Sequence, residues 1–247
     1  MNSNSVALVT GPSRGLGRAI ALSLARRGHR VVVNYAHSTT DAAVTVEQCR
    51  AAGAEVLEVL ADVCDPAAVR TMIAQVESHF GPVEVLVNNA TGPQPMLPLE
   101  DYTWADFQNQ LDFFVKAPVL LMQSTLAKMK RARAGRVIMI GSEVVDLGNA
   151  NFSAYVAAKG AMIGLTRAWA TEFGPWNITV NLVAPGWIPV ERHAGTNPNV
   201  LAAYARALPL GHLGAPVDVG ETVAFLAGSS AQFITGQCLN VNGGNTF

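Results

Sequence analysis

Residues 6–17 read Val-Ala-Leu-Val-Thr-Gly-Pro-Ser-Arg-Gly-Leu-Gly. The first five, Val6–Thr10, form a short apolar run of strand length. A turn holding Gly11, Gly15 and Gly17 follows, and Arg18–Arg27 then carries helical periodicity. A strand that runs through a glycine turn into a helix opens a βαβ unit. Glycines there permit a tight turn and the close approach of a pyrophosphate. The helix N-terminus adds free N–H groups and the positive end of its dipole. A Walker loop would need Gly at 16 and Lys at 17. Leu16 and Gly17 stand there instead, which argues against a nucleoside triphosphatase. The spacing is not GxGxxG either. Any strained strand-to-helix turn can use three glycines, but their place at the first strand–helix junction favours a dinucleotide.

Outward from this turn the chain alternates. Arg30–Tyr35 is a second strand, Asp41–Ala52 a helix ended by Gly53, and Glu55–Leu60 a third strand. Pro66 opens the next helix with Asp65 as its N-cap, and Gly81-Pro82 stops it. Val83–Val87 is a fourth strand. A long helical stretch, Trp104–Arg131, leads to a fifth, Arg136–Ile140. Ser153–Phe173 is a helix, Ile178–Val183 a sixth strand and Cys238–Val241 a short seventh. Continuous apolar strands between helices predict a single-domain Rossmann-type α/β fold over residues 1–247. Its doubly wound parallel sheet has about seven strands and helices on both faces. The Pro- and Gly-containing stretch 185–209 reads as one long irregular region at the carboxyl edge of the sheet. That is the place for a substrate loop, near 186–209.

Composition excludes other classes. Half of the 247 residues are hydrophobic and 14% charged, too apolar for a disordered chain. Seventeen basic against eighteen acidic residues leave a net charge of −1. That balance gives no support to a nucleic-acid or anionic-membrane surface. No apolar run reaches the roughly 18 residues that span a bilayer. The start, MNSNSVALVTG, lacks a basic region and a long apolar stretch, so it does not read as a secretory signal. Cys49, Cys64 and Cys238 are scattered without a CxxC, and the five histidines show no HExxH. Neither a disulfide framework nor a metal site is indicated. The expectation is a cytoplasmic protein with reduced cysteines.

Cofactor choice is read at the end of strand two. An NAD site usually offers a carboxylate there for the ribose 2′-OH. This chain offers Asn34, Tyr35, Ala36, His37 and Ser38, with no carboxylate before Asp41. Arg14 in the glycine turn can meet a 2′-phosphate, although a solvated surface arginine is the competing reading. NADP is therefore favoured over NAD.

Tyr155-Val156-Ala157-Ala158-Lys159 lies inside the helix Ser153–Phe173. Positions i and i+4 share one helical face, so the Lys159 charge stands near the phenol. A free tyrosine, with a pKa of about 10, is a poor acid or base at neutral pH. A nearby cation lowers that value. Ser142 follows strand five and can hold a substrate oxygen while Tyr155 exchanges a proton with it. Each piece also has a bland explanation: YxxxK arises by chance, and a serine at a strand end is often a cap.

Taken together, the motifs resemble the short-chain dehydrogenase/reductase family over nearly the whole chain. TGxxxGxG is matched at Thr10–Gly17. Asp62-Val63 follows strand three, and Asn88-Asn89-Ala90 follows strand four. Ser142 precedes Tyr155 by 13 positions, Lys159 completes YxxxK, and Pro185-Gly186 lies 30 residues after Tyr155. FITGQCLNVNGG resembles the family's last strand. Within the family the likeness is to 3-oxoacyl-[acyl-carrier-protein] reductases and related carbonyl reductases.

The resemblance implies hydride transfer between a nicotinamide and a carbonyl or secondary alcohol. Tyr155 would be the acid/base, Lys159 would lower its pKa and hold the nicotinamide ribose, and Ser142 would orient the substrate oxygen. Ser13, Arg14, Leu16, Asp62 and Val63 would touch the adenine half of the cofactor, and Asn89 and Ala90 would line its ribose. Pro185, Gly186 and the backbone of Ile188 would approach the carboxamide. Homotetramers, or dimers, are implied as well.

Three departures stand out. The family's catalytic Asn position falls on Phe114, and a phenyl ring cannot hold a proton-relaying water. This leaves open a non-catalytic or weakly active NADP-binding protein. Thr91 replaces the Gly that usually follows Asn-Asn-Ala. No Thr follows Pro185-Gly186 until Thr196. Met96, Val144, Phe152, Trp187 and His193 are the candidate substrate-pocket residues, a mainly apolar set for a small carbonyl or alcohol.

Overall fold

A computed structural model describes residues 4–247. Seven parallel strands form one sheet in the order β3-β2-β1-β4-β5-β6-β7. They are β1 Val6–Thr10, β2 Arg30–Tyr35, β3 Val56–Leu60, β4 Val85–Asn88, β5 Gly135–Ile140, β6 Ile178–Pro185 and β7 Cys238–Val241. In register, Thr10 faces Asn34 across β1–β2 and Asn88 faces Met139 across β4–β5. Alternate residues of each strand point to opposite faces. Val6 and Leu8 of β1 enter one core with Leu86, Val137, Met139, Val180 and Leu182. Ala7 and Val9 enter the other with Val31, Val33, Ile138 and Ile140. Both faces of the central strands β1, β2, β4, β5 and β6 are buried, so these read as largely apolar runs rather than alternating ones.

The first face is covered by α3 (Pro66–His79), α5 (Ala117–Ala132) and α7 (Ser153–Phe173). The second is covered by α1 (Gly15–Arg26), α2 (Thr39–Ala51) and α9 (Pro216–Ala227). The order reverses between β1 and β4, so the chain leaves those strands toward opposite faces and opens a crevice at their carboxyl ends.

Local chemistry explains the helix ends. Ser38 caps α2 by accepting from the Asp41 N–H, and Asp65 caps α3 by accepting from the Ala67 N–H at 2.8 Å. Gly53 and Gly81 leave α2 and α3 at φ of +92°, a conformation that costs other residues.

The structure departs from the sequence reading in three elements. The stretch Trp104–Arg131 is not one helix. α4 (Trp104–Leu111) passes into a π-helical turn, Asp112–Lys116, and then into α5. An extra residue in a helical turn leaves the apolar periodicity almost unchanged, so the sequence hides it. The stretch 185–209 is not irregular throughout. It contains a 3-10 turn, Glu191–His193, and α8 (Pro198–Ala207), capped by Asn197. α9 was not foreseen at all. It packs on α1 through Gly220, where a Cβ would lie 2.7 Å from Ser23 Oγ and 2.8 Å from the Ala19 carbonyl oxygen. A glycine at a helix crossing lowers the local helix signal while the close approach it permits stabilises the pair.

Candidate active site

The glycine turn is a braced cradle. Gly11 and Gly15 adopt φ of +65° and +57°. A Cβ on Gly17 would come within 2.5 Å of Asn89 Nδ2 and of the Gly11 carbonyl, so only glycine fits. Asn89 Nδ2 donates to the Thr10 carbonyl at 2.8 Å and to the Gly11 carbonyl at 3.1 Å. The Thr10 hydroxyl accepts from the N–H groups of Asn89 and Ala90. These bonds tie the ends of β1 and β4 together at the crevice. On the outer side, Thr45 Oγ1 donates to the Pro12 carbonyl at 2.9 Å, and Arg18 bonds both Thr45 and the Ser13 carbonyl. Neither Thr45 nor Arg18 belonged to any sequence motif, because α2 meets the turn only in three dimensions. Arg14 is exposed, and its guanidinium makes no hydrogen bond or ion pair among the described residues.

Other cofactor candidates are sorted by burial. Ala36 is exposed just past β2. Asn34 is 1% exposed, and its amide donates to the Ala61 carbonyl at 2.9 Å, inside the sheet. The Tyr35 side chain lies in the second core. Both side chains are thus engaged within the sheet and its core, whereas Ala36 is exposed. Val63 is a core residue, so only its backbone faces outward, while Asp62 is exposed and accepts from the Cys64 N–H at 2.8 Å. Leu16 is partly buried against the second core, and Ala90 packs beside Gly11. Pro185 ends β6, and Gly186 donates to the Val241 carbonyl at 3.0 Å. Ile188 is 4% exposed, its N–H donates to the Gly186 carbonyl at 2.9 Å, and its backbone also meets His193.

Ser142, Tyr155 and Lys159 come together at the carboxyl edge between β5 and α7. The Ser142 hydroxyl lies near enough to the Tyr155 phenol to favour its ionised form. Tyr155 and Lys159 are both buried, at 7% and 4% exposure. Phe152 stacks on the Tyr155 ring at 4.6 Å, and Phe114 meets it edge to face at 5.4 Å. Lys159 Nζ donates to the Ile140 carbonyl at 2.6 Å and stands 3.8 Å above the Phe114 ring centre.

The electrostatics differ from the sequence expectation. Burial pushes the Tyr155 phenol up, and the opposing pull comes from the Arg192 charge and the nearby Ser142 hydroxyl. Burial and the Arg192 charge also hold the Lys159 pKa down to about 7, which weakens the pull that the sequence predicts from it. An ammonium taken out of water gives up its proton more readily.

On the substrate side, Val144 opens a one-turn helix, α6 (Val144–Leu147), and donates its N–H to Ser142 Oγ at 3.4 Å. Met96 is 63% exposed, on a segment fastened where the Leu97 N–H meets the Asn151 carbonyl. His193 Nδ1 accepts from the Val190 N–H at 3.3 Å, and Trp187 packs on both His193 and Tyr204. His193 thus braces the loop, and burial beside Arg192 depresses its pKa.

Glu143 lies in a stretch, Glu143–Phe152, that the sequence assigns to substrate specificity, but its bracing role is visible only in the fold. It is 4% exposed, accepts from the Tyr204 hydroxyl at 2.6 Å and from Asn245 at 3.0 Å, and so joins the strand end to α8 and the C-terminal segment. Tyr204 in turn accepts from the Trp187 N–H at 2.9 Å. No local pattern marks an acid at 143, because its partners lie 61 and 102 residues away. Among the described residues no cluster of three potential metal ligands occurs, and no helix is long and apolar enough to cross a membrane.

Comparisons agree with this geometry. A family model described as Enoyl-(Acyl carrier protein) reductase matches residues 11–246. The chain is 39% identical over 246 residues to the 3-oxoacyl-[acyl-carrier-protein] reductase FabG of Staphylococcus aureus, covering 99% of both. It is 36% identical over 241 residues to FabG of Escherichia coli, covering 97% of this chain and 96% of that enzyme. Among solved structures, the promiscuous reductase LugOII, which catalyses keto-reduction at C1 in lugdunomycin biosynthesis, superposes with a TM-score of 0.91. It is 33% identical and covers 99% of each chain. The glycine cradle at the first crossover, the buried Tyr155–Lys159 pair and these full-length likenesses have one explanation: the chain belongs to the short-chain dehydrogenase/reductase family of oxidoreductases, which act between CH–OH and C=O.

Proposed function

We propose that the protein is an NADPH-linked carbonyl reductase, with 3-oxoacyl thioesters and related apolar ketones as its substrate class. The observation that carries the reading is the buried Tyr155–Lys159 pair, one helical turn apart at the sheet edge beside Ser142. A bound nicotinamide dinucleotide supplies the hydride in such chemistry. The residues of the chain do the rest. Ser142 donates a hydrogen bond to the substrate oxygen and Tyr155 gives that oxygen its proton. Lys159 holds the nicotinamide ribose. Phe152, Val144 and Trp187 exclude water from the reacting carbon.

The cradle suits a dinucleotide. Gly17 lets the turn close tightly on Gly11 and Asn89, and α1 presents its N-terminus there. Gly11, Ser13, Gly15, Leu16, Gly17, Asn89 and Ala90 would hold the phosphates and ribose, Asp62 and Val63 the adenine, and Pro185 and Gly186 the carboxamide end. The unpaired Arg14 and the absence of a carboxylate at Ala36 support NADP over NAD. A homotetramer or dimer is the assembly this reading carries, and light scattering of the purified protein tests it.

Purified protein with NADPH and a panel of 3-oxoacyl thioesters, β-ketoesters, diketones and quinones should show substrate-dependent loss of absorbance at the reduced nicotinamide. A second reading is a weakly active or non-catalytic NADP-binding protein, favoured by the Phe114 ring beside Lys159. Tight NADPH binding with no turnover on any member of the panel would select that second reading.

A further inference from the structure

We propose that Phe114 is a positioning residue whose ring seats the Lys159 ammonium and packs against Tyr155, so that one apolar side chain sets the charge state of the pair. The proposal rests on the reading of Tyr155 and Lys159 as working partners. Its basis is geometric. Phe114 is 1% exposed and lies on the π-helical turn Asp112–Lys116, a deviation that recurs at functional sites. Its ring centre lies 3.8 Å from Lys159 Nζ and 5.4 Å from the Tyr155 ring, which it meets at 81°.

Lys159 carries three N–H donors when protonated, and one is used on the Ile140 carbonyl. A buried ammonium with a single acceptor would lose its proton. The negative face of a ring within about 6 Å attracts a cation, most strongly where water is excluded. Among the described residues no carboxylate makes an ion pair with Lys159. The charge acting on it is that of Arg192, which opposes protonation, and the titratable group beside it on α7 is Tyr155. The charged groups of the π-helical turn, Asp112 and Lys116, act on the Cys64 thiol instead. The Phe114 ring and the Ile140 carbonyl are therefore what offsets part of the burial that discharges the ammonium. An aliphatic residue of similar size would fill the space without doing so.

The chain has four lysines, Lys116, Lys128, Lys130 and Lys159, so ¹³Cε-lysine NMR can follow each titration, with Lys159→Gln assigning the relevant signal. Replacing Phe114 site-specifically by mono-, di- and trifluorophenylalanine weakens the ring quadrupole at nearly constant shape. The Lys159 midpoint should fall stepwise along this series, and by about one pH unit in Phe114→Leu. A midpoint that does not move across the fluorinated series would overturn the proposal, whether or not Phe114→Leu folds. The titration needs no turnover, so it decides the matter even if the protein proves inactive. In an active enzyme the acid limb of alcohol oxidation should also move to higher pH, because a less charged Lys159 leaves Tyr155 harder to deprotonate. An unmoved limb would count against the proposal, whereas absence of turnover in the unmodified chain would count only against the reductase reading.

Discussion

At the scale of the residue, Tyr155 is gripped by its ring, and the proposed chemistry falls to its oxygen. Phe152 and Phe114 hold the ring, and the hydroxyl meets Ser142. Tyr155→Phe therefore keeps the packing and removes the proton. Turnover should drop about 10²-fold or more with NADPH affinity nearly unchanged. Undiminished turnover would reject the acid role. Cofactor choice also belongs to single residues. Asn34 and Tyr35 point into the sheet, which leaves exposed Ala36 as the position that can meet a ribose 2′ group. Ala36→Asp should shift preference from NADP toward NAD by bonding a 2′-OH and repelling a 2′-phosphate. Equal NADP/NAD ratios of kcat/KM before and after would place the 2′ site elsewhere.

At the scale of the element, the molecule depends on close approaches that glycine permits. The α1–α9 crossing leaves no room for a side chain at Gly220. Gly220→Leu should destabilise the fold by about 1–3 kcal/mol, measured by urea unfolding. An unchanged midpoint would mean that the two helices separate without cost. α9 and the π-helical turn were the elements least legible in the sequence. α9 is rich in residues buried by their neighbours rather than sorted to one stripe, with Val219, Val223, Ala224, Leu226 and Ala227 all covered. The π-helical turn differs from a regular helix by one residue. By contrast, β1, α1 and the capped helices were readable because their signals lie within a few residues of the element they mark.

At the scale of the whole molecule, burial of ionisable groups makes stability depend on pH. Lys159 falls from 10.5 to about 7 in the folded state. Between these values the unfolded chain binds more protons, so stability should rise as pH increases from 7 toward 10. The gain between pH 7 and 9 should be on the order of 1–2 kcal/mol. Lys159→Met should flatten this slope, and an identical slope in urea unfolding would show that the lysine is not the source. His29 acts in the same direction at lower pH. Burial lowers its pKa, so protonating the unfolded chain costs stability below about 6.5.

The sequence by itself determined the parallel α/β sheet, the glycine cradle and the Ser142–Tyr155–Lys159 set. Strand periodicity, turn glycines and an i, i+4 spacing are short-range properties of the chain. Only the tertiary structure decided that Asn34 turns inward, that Glu143 joins Tyr204 and Asn245, and that Phe114 lies under the Lys159 ammonium. Each is a meeting of side chains 25 or more residues apart. The strength of a buried hydrogen bond or a cation–ring contact depends on such partners and on the exclusion of water, neither of which is written locally.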